Sequence, residues 1–335
     1  MSFPIDIVIP WVDGGDPAWQ KLHDSYTADK TADNTEARYR DWGTLPFWFR
    51  GISRYAPWVR TVHFVTWGHL PPWLNLSCPK LHVVRHEDYI PAQYLPTFSS
   101  HTIELNLHRI PGLAEHFLYF NDDVFLAAPT TPEDFFHRGL PRDSAVFGII
   151  KNTGYGNFMP YIMLNMLAVI NTHFDKRTMM RQHFSKWFTL RNGRGVLNNC
   201  YLAPWKEFTG FRNFHTCIPY CKSTFETVWS KIPEILDDTC RRKFRCREDV
   251  NQYIFRYWQL VSGNFYPSKP NSYYFTIGSD PIERIVQALK SGSRPVVCAN
   301  DDPTGFQFEQ VQPFLRRTLQ TLLPEPCPFE RSDST

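Results

Sequence analysis

Short apolar runs recur along the first half of the chain, each followed by a polar or helical stretch. Residues 5–11, 61–66, 81–85, 117–120 and 145–150 have the length and the β-branched and aromatic content of buried strands. Between them, 45–55 and 100–107 read as helices. Tyr55-Ala-Pro-Trp58-Val-Arg60 ends the first helix and feeds a strand, because Pro57 cannot continue a helical ladder. This alternation predicts an α/β fold with a doubly wound, mostly parallel sheet. From about Gly154 the pattern changes: 161–172, 177–188 and 223–231 predict helices, and strand signals thin out. The expected organisation is an α/β core over 1–153 and a mainly helical part over 154–330 completing the same domain, since no Gly/Ser linker separates them.

Two of the apolar strands end in acids. His116-Phe-Leu-Tyr-Phe-Asn121-Asp122-Asp123-Val-Phe-Leu126 drives two adjacent carboxylates and an amide out of an apolar run, and Ile5-Asp-Ile-Val-Ile-Pro-Trp-Val-Asp13-Gly-Gly-Asp16 repeats the design. Adjacent carboxylates repel unless a cation or proton lies between them. Oxygen-only ligands suit Mg²⁺ or Mn²⁺ bridging a diphosphate, so the segment reads as a metal-nucleotide site. An Asn-Asp-Asp turn capping a strand is the plainer alternative. In open α/β sheets ligands bind beyond the carboxyl ends of the strands, so Asp13, Asp122 and Asp123 are expected to converge on one crevice. Gly14-Gly15 would let the backbone approach a ligand there.

Composition narrows the picture only slightly. The 335 residues are 42% hydrophobic, enough for a sizeable core in one large or two ordinary domains. A 16% aromatic content suits sugar stacking or a membrane surface, with core packing the plainer reading for most of these residues. A formal charge of +3 with dispersed basic residues points away from nucleic acid. Met1 leads directly into a strand without a basic and apolar leader, so a cytoplasmic protein with reduced thiols is expected. Cys217, Cys221, Cys240 and Cys246 fit no common zinc spacing. The nearest candidate span, 158–170, is too short to cross a bilayer.

Four ordered blocks carry a resemblance. The first is Ile5-Asp-Ile-Val-Ile-Pro-Trp-Val-Asp13-Gly. The second runs from Arg38-Tyr-Arg40-Asp41 through Tyr55-Ala-Pro-Trp-Val-Arg60, Leu95-Pro-Thr-Phe-Ser-Ser100 and His108-Arg-Ile-Pro-Gly112 to Tyr119-Phe-Asn-Asp-Asp-Val-Phe-Leu126. The third holds His215, Lys222, Lys243-Phe-Arg245 and Asp249-Val-Asn251; the fourth is Cys298-Ala-Asn300-Asp301-Asp302, closing on Pro324-Glu-Pro-Cys-Pro-Phe-Glu330. Together they resemble the Stealth family: bacterial capsular and exopolysaccharide sugar-phosphotransferases, with the catalytic subunit of the lysosomal-targeting N-acetylglucosamine-1-phosphotransferase. Pro10 and the terminal Pro-Cys-Pro depart from the family pattern without removing a charged group.

The resemblance implies a nucleotide-sugar-binding core. It further implies transfer of a hexose-1-phosphate or N-acetylhexosamine-1-phosphate from a UDP-sugar to a hydroxyl on a lipid-linked or polymeric glycan, with UMP leaving and a phosphodiester formed. The setting it implies is capsule or cell-surface polysaccharide synthesis, with peripheral contact at the inner membrane face through basic and aromatic groups. Mg²⁺ or Mn²⁺ would be held by Asp122, Asp123 and Asp301, with Asp13 near the nucleotide or metal. Arg38, Arg40 and Arg245 are candidate phosphate clamps, Asp41 would orient one of them, and Lys222 would add a point charge. Asn121 and Asn300 are candidate substrate contacts. His215 is the expected general base for the acceptor hydroxyl, with His101 and His108 as second choices. Trp187, Trp205 and Trp258 are candidate sugar platforms, although core packing is the plainer reading. Two other readings remain: a metal-dependent glycosyltransferase releasing UDP, and a non-catalytic glycan-binding module. The module accounts for the aromatics but not for acids, Arg and His spread over four blocks.

Overall fold

The computed structural model describes residues 3–27, 39, 41–152, 154, 156–301 and 308–332. Its strands are β1 (Ile5–Pro10), β2 (Val62–Thr66), β3 (Leu81–Arg85), β4 (His116–Tyr119), β5 (Val124–Leu126), β6 (Phe136–His137), β7 (Leu140–Asp143), β8 (Ile218–Cys221), β9 (Tyr266–Pro267), β10 (Ser272–Thr276) and β11 (Val296–Asn300). The main sheet has the order β3-β2-β1-β4-β8, parallel except for β8. The protein is α/β, as expected. Chain order reverses between β1 and β4, and that switch point is where such sheets open a crevice.

Side chains alternate across the sheet with period two. Ile5, Ile7 and Ile9 of β1 and Leu118 of β4 face one core, with the helices Leu45–Tyr55 and Phe308–Leu322. Val8, Phe117 and Tyr119 face a second core with the helices Met159–His173 and Tyr253–Val261. Burial on both faces explains why these strands read as unbroken apolar runs. The helix Leu45–Tyr55 carries Pro46 in its first turn and stops short of Pro57, as the sequence predicts. Gly51 lets it lie close to β5, since a Cβ there would stand 3.3 Å from the Leu126 carbonyl oxygen.

The second half is mainly helical but not without strands. It supplies β8 to the main sheet and the parallel pair β10 and β11 to a second one. β11 runs antiparallel to β5, so the turn holding Asn121, Asp122 and Asp123 sits where the two sheets meet. Among the described residues, no helix is long and apolar enough to cross a membrane.

Three expected elements differ. Residues 145–150 form no strand beyond a bridge from Phe147 to Phe211: one edge bonds irregularly to the 209–212 backbone, through Gly148 N–H to Gly210, Ile150 N–H to Thr209 and Arg212 N–H to Val146, and side-chain amides take the other edge. Asn192 and Asn199 accept from the Ala145 and Phe147 N–H groups, and Asn199 also donates to the Ala145 carbonyl. The expected helix 177–188 breaks at His183 into Lys176–Gln182 and Phe184–Trp187. The expected helix 100–107 is α-helical over Ser100–Leu105 and continues as a 3₁₀ turn, Leu107–Arg109.

One buried carboxylate ties the sheet at its root. Asp6 of β1 accepts from Arg60 Nε (2.8 Å), from the Ala114 backbone N–H (2.8 Å) and from His63 Nε2 of β2 (3.0 Å), and is fully buried. Burial alone would raise its pKa, but the hydrogen bonds from His63, Arg60 and Ala114 outweigh this and hold it below 3.8. Asp6→Asn is therefore expected to cost about 3 kcal/mol in urea unfolding at neutral pH, by stranding buried donors. Because the folded pKa is depressed, that advantage over the variant is complete above pH 3.8 and shrinks as pH falls through the folded value.

Candidate active site

The turn after β4 places Asn121, Asp122 and Asp123 at the carboxyl end of the sheet, and the segment before β8 brings His215 back over it. His215 Nε2 lies 3.1 Å from Asp123 Oδ2 and 3.3 Å from the Asn121 amide nitrogen. Cys298, on β11, donates its thiol to the same Asp123 oxygen at 3.5 Å. Asp123 Oδ1 is buried and has no hydrogen-bond partner.

Charge is crowded here. Loss of solvation around the carboxyl and then the charges of Asp123 and Asp41 push the Asp122 pKa up to about 7, while the residue as a whole is exposed to solvent, which tempers the shift. Burial would lower the His215 pKa, but the charge and hydrogen bond of Asp123 outweigh it and raise the imidazole above its ordinary 6.5. Neighbouring carboxylate contributes to both shifts: it adds to the effect of lost solvation at Asp122 and overcomes it at His215.

These groups line a cleft of about 330 Å³ that also takes in Glu104, Arg245, Asn300 and Asp301. Arg245 donates to Ser100, at the start of the helix Ser100–Leu105. Asp301 Oδ2 accepts from the Trp42 indole at 3.3 Å. Beside the acid pair, a hollow of about 30 Å³ is bordered on one side by Asp41, Asp122 and Asp123 and otherwise mostly by apolar residues, among them Trp11, Leu45, Phe125 and Leu315. Oxygen donors beside an ion-sized space, one of them buried and unpartnered, fit a hard divalent cation. Atoms of Asp123, His215 and Cys298, all within 4.8 Å of one another, form a second, softer donor set on the cleft side.

The structure thus brings together seven of the residues singled out from the sequence: Asn121, Asp122, Asp123, His215, Arg245, Asn300 and Asp301. Asp41 stands against the acid pair, where it raises the Asp122 pKa. Asp13 does not line the cleft. Its Oδ1 accepts from the Gly15 N–H in a local turn while Pro10, Trp11 and Val12 form the wall. Gly14 makes room for protein and not for ligand, since a Cβ there would lie 2.3 Å from the Tyr39 carbonyl oxygen.

Lys222 and His108 are placed at the opposite end of the sheet. β8 runs antiparallel, so Lys222, just past its end, bonds through its N–H to the Glu115 carbonyl before β4. His108 is buried near Phe225 and Trp229; burial, Arg109 and Lys222 press its pKa to about 3, which keeps it neutral. His101 is engaged by Asp249 at 2.9 Å away from the cleft. Arg38 and Arg40 lie outside the described residues. Trp187 and Trp258 are core residues and Trp205 is on the surface, whereas Trp11, Trp19 and Trp42 line the cleft.

Sequence reasoning missed Glu104 and the position of Cys298. Glu104 is buried, accepts from the Tyr119 hydroxyl at 3.0 Å and faces the cleft. Ser100 and Glu104 are four residues apart on one helix, so the face that presents one presents the other. A larger cavity of about 400 Å³, at the other end of β10 and β11, contains none of the predicted residues.

Residues 38–143 match the model of Stealth protein CR2, conserved region 2, and residues 3–31 match that of Stealth protein CR1, conserved region 1. The chain is 38% identical over 331 residues to the capsular polysaccharide phosphotransferase WcwK of Streptococcus pneumoniae, covering 98% of each chain. It is 38% identical to the exopolysaccharide phosphotransferase cps2G of Lactiplantibacillus plantarum, over 98% of this chain and 97% of that one. It is 35% identical to the receptor polysaccharide phosphotransferase WefC of Streptococcus gordonii, over 97% and 98%. Among solved structures, the galactosyltransferase LgtC with donor and acceptor sugar analogs aligns with 96% of this chain and 97% of that one, at TM-score 0.39 and 11% identity. The α/β fold with its crevice and the three phosphotransferase relatives define an enzyme of the transferase class. The chain belongs to the Stealth family of polysaccharide phosphotransferases.

If the cluster carries the chemistry, His215→Ala and Asp123→Asn will each lower turnover by about 10²-fold or more. Thermal melting should be little changed, because both side chains border an open cleft. Near wild-type turnover in either folded variant would remove that residue from the chemistry.

Proposed function

We propose that the enzyme transfers a sugar-1-phosphate from a UDP-sugar to a hydroxyl of a glycan acceptor in capsule or cell-surface polysaccharide synthesis, releasing UMP. The observation that carries this reading is the joint placement of His215, the acid pair and Arg245 on one cleft, in a chain related over nearly its whole length to polysaccharide phosphotransferases. In this reaction the acceptor oxygen forms a bond to the phosphorus that bears the sugar. The bond from that phosphorus to the bridging oxygen breaks, its electron pair leaves with UMP, and the acceptor proton passes to the His215 imidazole at the ring nitrogen that Asp123 does not engage. Positioning and charge stabilisation supply most of what phosphoryl transfer requires.

His215 is suited to take the proton because the imidazolium it becomes is met by Asp123 at 3.1 Å. Arg245, held by Ser100, would offer its guanidinium to phosphate oxygens in the cleft that the acids also line. Trp11, Trp19 and Trp42 give the cleft an aromatic side for the uracil or the sugar ring. Asp122 and Asp123, with Asp41 beside them and Asp301 on the same cleft, are the residues that would hold Mg²⁺ or Mn²⁺. The metal's contribution when bound is to neutralise the diphosphate and the departing UMP. Glu104 is kept ready by Tyr119 for a polar contact with the sugar.

Two measurements test this. With a UDP-hexose, Mg²⁺ and an oligosaccharide acceptor, ³¹P NMR is expected to show UMP and a new phosphodiester resonance. UDP without a phosphodiester would replace this reading with glycosyl transfer at the anomeric carbon. Calorimetric UDP binding should weaken at least about tenfold on adding EDTA, and equally in the Asp122→Ala, Asp123→Ala double variant. Undiminished binding in both cases would refute the metal-diphosphate role of the pair.

A further inference from the structure

Basic and apolar residues are concentrated in one part of the second half, away from the cleft. Residues 176–206 contain seven Lys and Arg and no Asp or Glu, in a chain whose totals are 36 and 33. Asp175 and Glu207 bound the stretch: Asp175 caps the helix that follows it, and Glu207 pairs with Lys206 at 3.5 Å. Lys176 and Lys186 turn inward to backbone carbonyls. Arg177, Arg181, Arg191, Arg194 and Lys206 remain exposed.

The same stretch exposes large apolar side chains. Of twelve such residues among those described, five lie here: Phe184, Leu190, Leu197, Tyr201 and Trp205. Leu190 is 86% exposed, Tyr201 69% and Leu197 67%, where burial would be the default for a leucine. Leu197 and Tyr201 stand one turn apart on the helix Gly195–Leu202, and the Tyr201 ring lies 5.7 Å from that of Trp205.

This surface is held rigidly from beneath. Asn192 donates to the carbonyls of Lys186 and Trp187, and Asn199 to those of Ala145 and Trp187, while both accept from the 145–147 backbone. The apolar side chains therefore stand outward on a fixed support. A basic stretch whose acids are confined to its two ends, Asp175 and Glu207, and which carries exposed leucine, tyrosine and tryptophan matches the chemistry of an anionic bilayer surface, where phosphates meet the cations and the interface accepts amphipathic rings.

We propose that the face formed by Leu190, Arg191, Arg194, Leu197, Tyr201 and Trp205 docks the enzyme on an anionic membrane surface. The proposal does not rest on the transfer reaction, and its test measures no turnover. The full chain is sedimented with vesicles of phosphatidylcholine alone and of phosphatidylcholine mixed with phosphatidylglycerol, at low and high salt. Binding is expected only with the anionic vesicles, weakening as salt rises. Arg191→Gln with Arg194→Gln should reduce it about thirty-fold, and Leu190→Ser with Leu197→Ser at least tenfold. All four positions are exposed, so melting temperatures should match the wild type, and Trp205→Phe offers a second readout through quenching by brominated lipid. No binding to anionic vesicles would overturn the proposal, as would equal binding to neutral ones or unchanged binding by both double variants. Concentration-dependent dimerisation abolished by the leucine substitutions, without vesicle binding, would assign the face to a second copy of the chain.

Discussion

The position of the site depends on how Asp6 is satisfied. A carboxylate with no access to water must be met by donors from every side, and those donors come from β2, from the loop before it and from the turn that starts β4. Asp6 thereby fixes the two strands flanking β1 at their roots. What emerges at their other ends, the 10–12 wall and the 121–123 turn, inherits that register. The chain holds a stable, charge-neutralised carboxylate at one end of the sheet and an uncompensated group of carboxylates at the other. Stability and chemistry are thus separated along the strands.

At the open end the electrostatics run the other way. Burial and the charges of Asp123 and Asp41 raise the proton affinity of Asp122, and Asp123 raises that of His215. A cation among the carboxylates would oppose the charge contribution to each shift, so the donor, its metal and the protonation of the base would be coupled. The orphaned Asp123 Oδ1 is the clearest local sign that the described groups do not complete this arrangement among themselves.

Much of this was readable in the residues, for reasons that can be named. Buried strands ending in acids stand out because burial and charge conflict, and the helix Leu45–Tyr55 is punctuated by two prolines. What stayed hidden depends on contacts made across long stretches of sequence. Nothing local in Ile218–Cys221 says that this strand runs antiparallel, and that direction alone sends Lys222 to the wrong end. The backbone at 145–150 has strand-like residues, but Asn192 and Asn199 bond one of its edges and only a short irregular pairing with 209–212 holds the other, so the pattern predicts a longer ladder than the fold makes. The basic residues look dispersed when counted over the chain, whereas the missing acids of 176–206 mark a face.

The pairing of β5 with β11 also sets a timetable. β5 ends at Leu126 and its partner begins at Val296, so a chain growing from its N-terminus makes the acid turn early and completes its surroundings late. His215, Arg245 and Cys298 arrive in that order, and the long loop closure between β5 and β11 belongs to the slow, non-local class of folding events. Until then Val124, Phe125 and Leu126 offer an unpaired apolar edge of the kind that recruits other chains. A ribosome that stalls before Val296 would leave a product without a completed cleft and with its most adhesive strand uncovered. Such a product is inert as a catalyst and recognisable to chaperones and proteases.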